Sequence, residues 1–322
     1  MRRRRAQVSP ALLELVRGQA ARPVSAGVRA LADRLQERYG PAVQAILVYG
    51  SCFRAGDDRD GLVDLYVLVD RYRAAHRGLA RAVVNKILPP AVYALTVASP
   101  TGTVRAKYAV LSLDDFRRGA SAATFQSYFW GRFAQPTGLV YARTPMIAEE
   151  VTAVLAGAVV TFLARVLPRV PPLFDAATLW RRGLSLSYGT EIRAEGPERV
   201  IHLVEVDGGY YELATAAALA AIPLAVERLD GPPRRRYRVR VARWRRWLSA
   251  LAWRGRRWEG KTLSAMRLLM ALGTFDGGVE YALWKIQRHT GVAAEAAPTL
   301  RRHPLLAGWR LAWRLYRQRA FR

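Results

Sequence analysis

The sequence predicts a mixed α/β domain, then a smaller helical module with a hairpin, winged-helix-like in outline, and last a basic helical C-terminal region. Three observations predict this. Short β-branched and aromatic runs alternate with amphipathic stretches up to about residue 145. The apolar period then lengthens to that of a helix, and beyond residue 233 arginine and tryptophan dominate. With 322 residues, 51% of them hydrophobic, the chain is long enough for a sizeable core, and the expected boundaries are 1–145, 146–233 and 234–322.

Taken in order, residues 11–16 and 28–39 have helical spacing with charges opposite the apolar face, and "YGP" closes the second helix. "QAILVYG" and "LVDLYVLVD" read as strands, "RAAHRGLARAVVNKIL" as a helix, and "AVYALTV", "VRAKYAVLS" and "GLVYA" as further strands. In "SLDDFRRG", Ser112 is an N-cap with Asp114 and Asp115 in the first turn, where the helix dipole favours acids. A long apolar helix to residue 167, the break "PRVPP" and a helix through Trp180 follow. "RVIHLVEV" and "YYELAT" flank Asp207-Gly208-Gly209, which predicts a hairpin. The most apolar windows, 151–164 and 213–226, are 14 residues each, too short to span a bilayer.

The formal net charge of +26 points to a polyanionic partner: an anionic membrane surface, nucleic acid or a phosphate-rich substrate. Nearly all the cations are arginine, with only Lys86, Lys107, Lys261 and Lys285 beside them, so clusters say more than the total. A single cysteine, Cys52, excludes internal disulfides and fits a reducing compartment. With no histidine near it in sequence to activate it, Cys52 reads as a small buried thiol. His76, His202, His289 and His303 lie too far apart for zinc-ligand spacing. The basic start "MRRRRAQVSPALLELVRG" has no apolar run of signal-peptide length, which predicts a cytoplasmic protein whose membrane contact is peripheral.

Against this excess of cations, Asp57, Asp58, Asp60, Asp64 and Asp70 crowd into "ILVYGSCFRAGDDRDGLVDLYVLVD". Nucleotidyl transfer needs backbone free to approach phosphates and carboxylates to hold a divalent metal between them. Gly50 permits the close approach, Ser51 adds a hydroxyl, and strand alternation puts Asp64, Tyr66, Leu68 and Asp70 on one face. The plain alternative is an ordinary turn followed by a strand that begins with an acid. The spacing is similar to that of the nucleotidyltransferase superfamily, in which a hydrophobic strand ending in Gly-Ser is followed about a dozen residues later by an acid in a second strand. A further acid commonly stands two residues on, where this chain has Tyr66.

Four more blocks extend the likeness. "AVYALTV", "VRAKYAVLSLDDF", "ATFQSYFWGRFAQPTGLV" and "GLSLSYGTEIRAE" follow one another in an order and spacing that resemble the mitochondrial-type phosphatidate cytidylyltransferases, the peripheral CDP-diacylglycerol synthases. The resemblance covers about residues 46–195, with Gln135 where that family has Lys, Ala109 where it has Gly, and Glu191 where it has Asp. It implies a Mg²⁺-dependent enzyme joining CTP to phosphatidate. Gly50 and Ser51 would cradle the triphosphate, Asp64 would hold the metal, with Asp70 as a second ligand or strand-end support, and Ser187, Tyr188, Glu191 and Arg193 would close over the site. Lys107 lies mid-strand in an apolar context and needs an anion close by: a phosphate, a buried salt bridge or a snorkelled edge position. Arg132 in "WGRF" suits bidentate phosphate recognition.

In the last region Arg234, Arg235, Arg236, Arg238, Arg240, Arg243, Arg245 and Arg246 interleave with Tyr237, Trp244, Trp247 and Trp253, and Trp309, Ala312, Trp313 and Tyr316 share one helical face. That composition suits an anionic lipid surface, a nucleic acid, or packing on the protein's own domain. The alternatives to lipid cytidylyl transfer are thus a nucleotidyltransferase-like nucleic-acid-binding protein, and nucleotide transfer to a protein or RNA.

Overall fold

The computed structural model describes residues 8–58, 61–100, 102–192, 197–229 and 235–274. The first part runs α1 (Pro10–Ala20), α2 (Ala26–Tyr39), β1 (Val43–Tyr49), α3 (Ser51–Ala55), β2 (Leu62–Val69), α4 (Tyr72–Ala75), α5 (Leu79–Ile87), β3 (Ala91–Ser99), β4 (Gly102–Ser112), α6 (Leu113–Ala120), α7 (Tyr128–Phe133) and β5 (Thr137–Ala142). The second runs α8 (Pro145–Val166), β6 (Leu173–Asp175), α9 (Ala176–Tyr188), α10 (Pro197–Val206), α11 (Gly208–Leu219), β7 (Val226–Leu229), β8 (Arg236–Val239) and α12 (Arg243–Thr274). Ser9, Ser25 and Ser112 cap α1, α2 and α6 by accepting a backbone N–H, as their positions before apolar-periodic runs require.

The first five strands form one mixed sheet in the order β3-β4-β2-β1-β5, with β2 and β4 parallel and the other pairs antiparallel. Alternation divides its side chains between two cores. Leu47, Tyr66, Leu68, Ala109 and Leu111 face a helical layer that includes α1, α6, α7 and α8. Ile46, Val48, Leu65, Val67, Tyr108 and Val110 face α2. The first core continues without a break through Leu155, Phe162, Trp180, Tyr211 and Trp253, so sheet and later helices share one interior.

Several expectations need correction. "RVIHLVEV" and "YYELAT" are not a hairpin but α10 and α11, with Asp207 between them. Val200, Leu203 and Val204, then Tyr211, Ala214, Thr215 and Ala218, are the buried positions, and both sets follow the i, i+3, i+4 spacing of a helix. The hairpin lies further on: β7 pairs with β8, and β8 with β6, in a three-stranded sheet. The expected boundary at residue 233 falls between its strands. "RAAHRGLARAVVNKIL" is two helices, α4 and α5, separated around His76. The helical stretch Pro145–Arg169 is long and apolar enough to cross a membrane, longer than the window read from sequence, but 67% of an apolar 18-residue window within it is buried in the protein, as befits a core helix.

Candidate active site

At the end of β1 the chain turns through Gly50, whose φ of 88° lies in the region that favours glycine, into α3. Tyr49 pairs with Asp64 across β1 and β2, and Asp64 pairs with Lys107 across the parallel β2 and β4. Tyr49, Asp64 and Lys107 therefore stand side by side on one face of the sheet, one step beyond Leu47, Tyr66 and Ala109 of the core. Asp64 Oδ1 lies 2.8 Å from Lys107 Nζ, with the side chains 22% and 35% exposed. The contact is an ion pair and not an aligned hydrogen bond, so the buried Oδ1 keeps its accepting capacity. On the other side, a Cβ at Gly50 would come within 2.7 Å of Asp64 Oδ2. The carboxylate is bracketed between a cation and a bare backbone corner. Beyond it the same face of the sheet is exposed, at Ala94 and Thr96 on β3 and Thr103 and Arg105 on β4.

Arg132 is carried on α7, which sits tight on α9: a Cβ at Gly131 would lie 2.2 Å from Ser187 Oγ. The Arg132 guanidinium donates to Tyr66 Oη (3.0 Å) and Glu191 Oε2 (2.9 Å) and lies 4.3 Å from the centroid of the Tyr128 ring. Burial opposes its charge, but Glu191 and the surrounding tyrosines outweigh burial and hold it well above the usual arginine value. Tyr66, two residues on from Asp64 in β2, is fully buried. Arg267 of α12 covers the Tyr128 ring at 4.4 Å. Although burial raises the Tyr128 phenol, Arg132 and Arg267 pull it below its usual value.

A buried hub lies beneath the turn. Arg54 of α3 donates from Nε to Asp207 Oδ2 (2.5 Å) and from Nη2 to Gln135 Oε1 (3.0 Å), and Tyr188 Oη donates to that same Oε1 (3.0 Å). Gln135 Nε2 donates to the Gly131 carbonyl (3.2 Å). The hub ties the helix after Gly50-Ser51 to α7, α9 and the start of α11. Neither Arg54 nor Asp207 was expected at the site, and only the place of Arg54, four residues after Gly50, hints at it.

Of the residues expected to converge, Gly50, Asp64 and Lys107 meet directly. Arg132 and Glu191 meet each other one step away, and Tyr188 reaches the hub. Ser51 is exposed at the start of α3. Asp70 does not join them: it follows the opposite end of β2, about 20 Å of strand from Asp64, where it is exposed and contacts Arg71. Asp58 is buried and accepts from Ser25 Oγ, so it anchors its loop to the start of α2. Arg193, Arg234, Asp60 and the aromatic face at Trp309, Ala312, Trp313 and Tyr316 lie outside the described residues.

Among the described residues no group of three or more His, Cys, Asp or Glu could hold a metal ion. Among the described residues Asp64 is the carboxylate that faces Gly50, and one carboxylate group suits Mg²⁺ as an ion shared with phosphates. Burial raises the Cys52 thiol, and the charges of Asp64 and Asp58 add to the effect. No protein-family model matches the chain, and no curated protein matches it.

Proposed function

We propose that the chain is a Mg²⁺-dependent nucleotidyltransferase that joins CTP to phosphatidate, releasing pyrophosphate and forming CDP-diacylglycerol. The observation that carries this reading is the corner at which Gly50, with no Cβ, faces the carboxylate of Asp64 beside Lys107. A phosphatidate oxygen attacks the α-phosphorus of CTP; the new O–P bond forms as the bond to the β-phosphate oxygen breaks, and its electron pair leaves with pyrophosphate. Phosphatidate brings an ionised oxygen, so the step calls for no strong general base, which suits Tyr66 in place of a second acid. When bound, the metal would offset triphosphate charge, with Asp64 as its protein ligand. Lys107 can swing from Asp64 to a phosphate on the exposed sheet face, while Arg132, satisfied by Tyr66 and Glu191, positions the surrounding helices. Catalysis of this kind is mainly orientation and electrostatic stabilisation.

The reading includes a nucleotidyltransferase-like sheet domain and a winged-helix-like module, supported by the order α8, β6, α9, α10, α11, β7, β8 and the sheet order β6-β8-β7. It also includes peripheral attachment to an anionic membrane. Support comes from α12, whose Trp253 and Arg256 pack inward while Trp244, Trp247, Leu248, Leu251 and Trp258 are exposed on its other side. A second reading, a weak or inactive nucleotidyltransferase-like protein that binds nucleic acid through its basic C-terminal region, is favoured by the pairing of Asp64 with a lysine.

The discriminating experiment supplies labelled CTP and ATP in parallel to the full chain with phosphatidate vesicles and Mg²⁺, followed by lipid extraction. Label in the lipid from CTP is the expected result. Label in protein or RNA, or steeply salt-dependent nucleic-acid binding without vesicle binding, would replace the proposal by one of its alternatives.

A further inference from the structure

Away from the sheet, where α8 gives way to the turn over Leu167–Arg169, the protein gathers four arginines from three elements. Arg169 follows α8, Arg182 is on α9, and Arg246 and Arg254 are on α12. Arg169, Arg182 and Arg246 line an open cavity of about 470 Å³ with Thr178 and Pro171, and no carboxylate is among its lining residues. Arg246 is held in place by donating to the Val170 carbonyl (2.9 Å), and Arg169 donates to the Arg246 carbonyl (3.4 Å). Arg169 Nε is buried and has no hydrogen-bond partner. A second cavity shares Arg246, is lined also by Arg240, and has no acid among its lining residues.

This is a poor arrangement for a protein without a ligand. Four like charges repel one another, and α12 begins with Arg243, Arg245 and Arg246 and no acid in its first turn, setting cations against the positive end of the helix dipole. Burial, and after it the charges of Arg182, Arg246 and Arg254, lower the Arg169 value. An anion in the cavity reverses each of these costs. Guanidinium groups converging from several directions match the tetrahedral oxygens of phosphate better than a single planar carboxylate.

We propose that the cavity formed by Arg169, Arg182 and Arg246, with Arg254 beside it, binds a phosphate group, carried either by a soluble ligand or by an anionic lipid headgroup. It is separate from the Asp64 corner and does not depend on the catalytic reading.

The test compares the wild-type full chain with Arg182→Gln/Arg254→Gln, both exposed side chains whose loss leaves the core closed, and with Arg246→Gln. A control, Arg243→Gln/Arg245→Gln, removes two charges from the start of α12 outside the cavity. One arm titrates inorganic phosphate and pyrophosphate calorimetrically, and the other sediments the proteins with phosphatidylglycerol or phosphatidylcholine vesicles. Melting by circular dichroism checks that each variant is folded. The expected result is binding weakened about tenfold or more in the cavity variants, as for loss of a charge-assisted contact, and retained in the control. Weakening on the titration arm assigns a soluble phosphate, and weakening on the vesicle arm alone assigns the headgroup. No wild-type binding on either arm, or an equal loss in the control, overturns the proposal.

Discussion

Breaking the pair between Arg54 and Asp207 tests whether the Gly-Ser turn is anchored from the second half of the chain. Both side chains are only 8% exposed, with Nε and Oδ2 2.5 Å apart. Removing one partner of a buried pair leaves an uncompensated charge and costs about 3–5 kcal/mol, against about 0–1 kcal/mol for an exposed pair. Arg54→Met also takes one donor from Gln135 Oε1, leaving it only Tyr188. At roughly 2–4 °C per kcal/mol for domains of 150–250 residues, the melting temperature should fall by roughly 6–20 °C. Circular dichroism melting reads this directly. Arg34→Met, which breaks the solvent-exposed pair with Glu37, is the comparison and should shift by about 1 kcal/mol at most. In Arg54→Met/Asp207→Leu the orphaned charge is gone, and a large part of the loss should return. If Arg54→Met costs no more than Arg34→Met, the hub does not anchor the turn and the reasoning fails.

Three further outcomes follow from the same structure. Gly50→Ala forces a side chain into positive φ and against Asp64, so it should cost about 1–3 kcal/mol in a melt and, through the displaced carboxylate, about 100-fold in turnover; unchanged stability and rate would contradict the corner geometry. Cys52, its thiol raised by burial and by Asp64, should react with iodoacetamide more slowly in the native protein than in the unfolded chain, and rapid native labelling would place it at the surface. His76 is held below its ordinary value of 6.5 by burial first, then by Arg81 and Arg38. The unfolded chain therefore takes up that proton first, so stability should be fully present above pH 6.5, decline as pH falls below it, and decline less in His76→Gln; identical pH profiles for the two proteins would remove His76 from the account.

What could be read from the sequence was what local chemistry decides. The cap at Ser112, the β1 and β2 strands and the Gly50 turn all rest on neighbours within a few residues. Asp64 is legible because a glycine turn and an acid in an apolar strand are both visible along the chain. Its meeting with Lys107 depends on β2 and β4 pairing in parallel across intervening elements, a register that no local pattern encodes. The Arg54–Asp207 pair spans 153 residues and was invisible for the same reason. Asp70 shows a different limit: alternation places it on the face of Asp64, yet a shared face says nothing about distance along a strand. In "RVIHLVEV" a run of β-branched residues hid the helical spacing of Val200, Leu203 and Val204, and packing overrode that strand preference. Composition leaves the tail three readings, because it does not carry the difference between the buried Trp253 and the exposed Trp244, Trp247 and Trp258.

The most direct measurement of the central claim is the rate of label transfer from CTP to phosphatidate by Asp64→Ala, set beside the wild type at matched melting temperature. The account predicts that the wild type transfers label to lipid and that the variant, still folded, transfers none above background. A folded Asp64→Ala protein that turns over at the wild-type rate would contradict it.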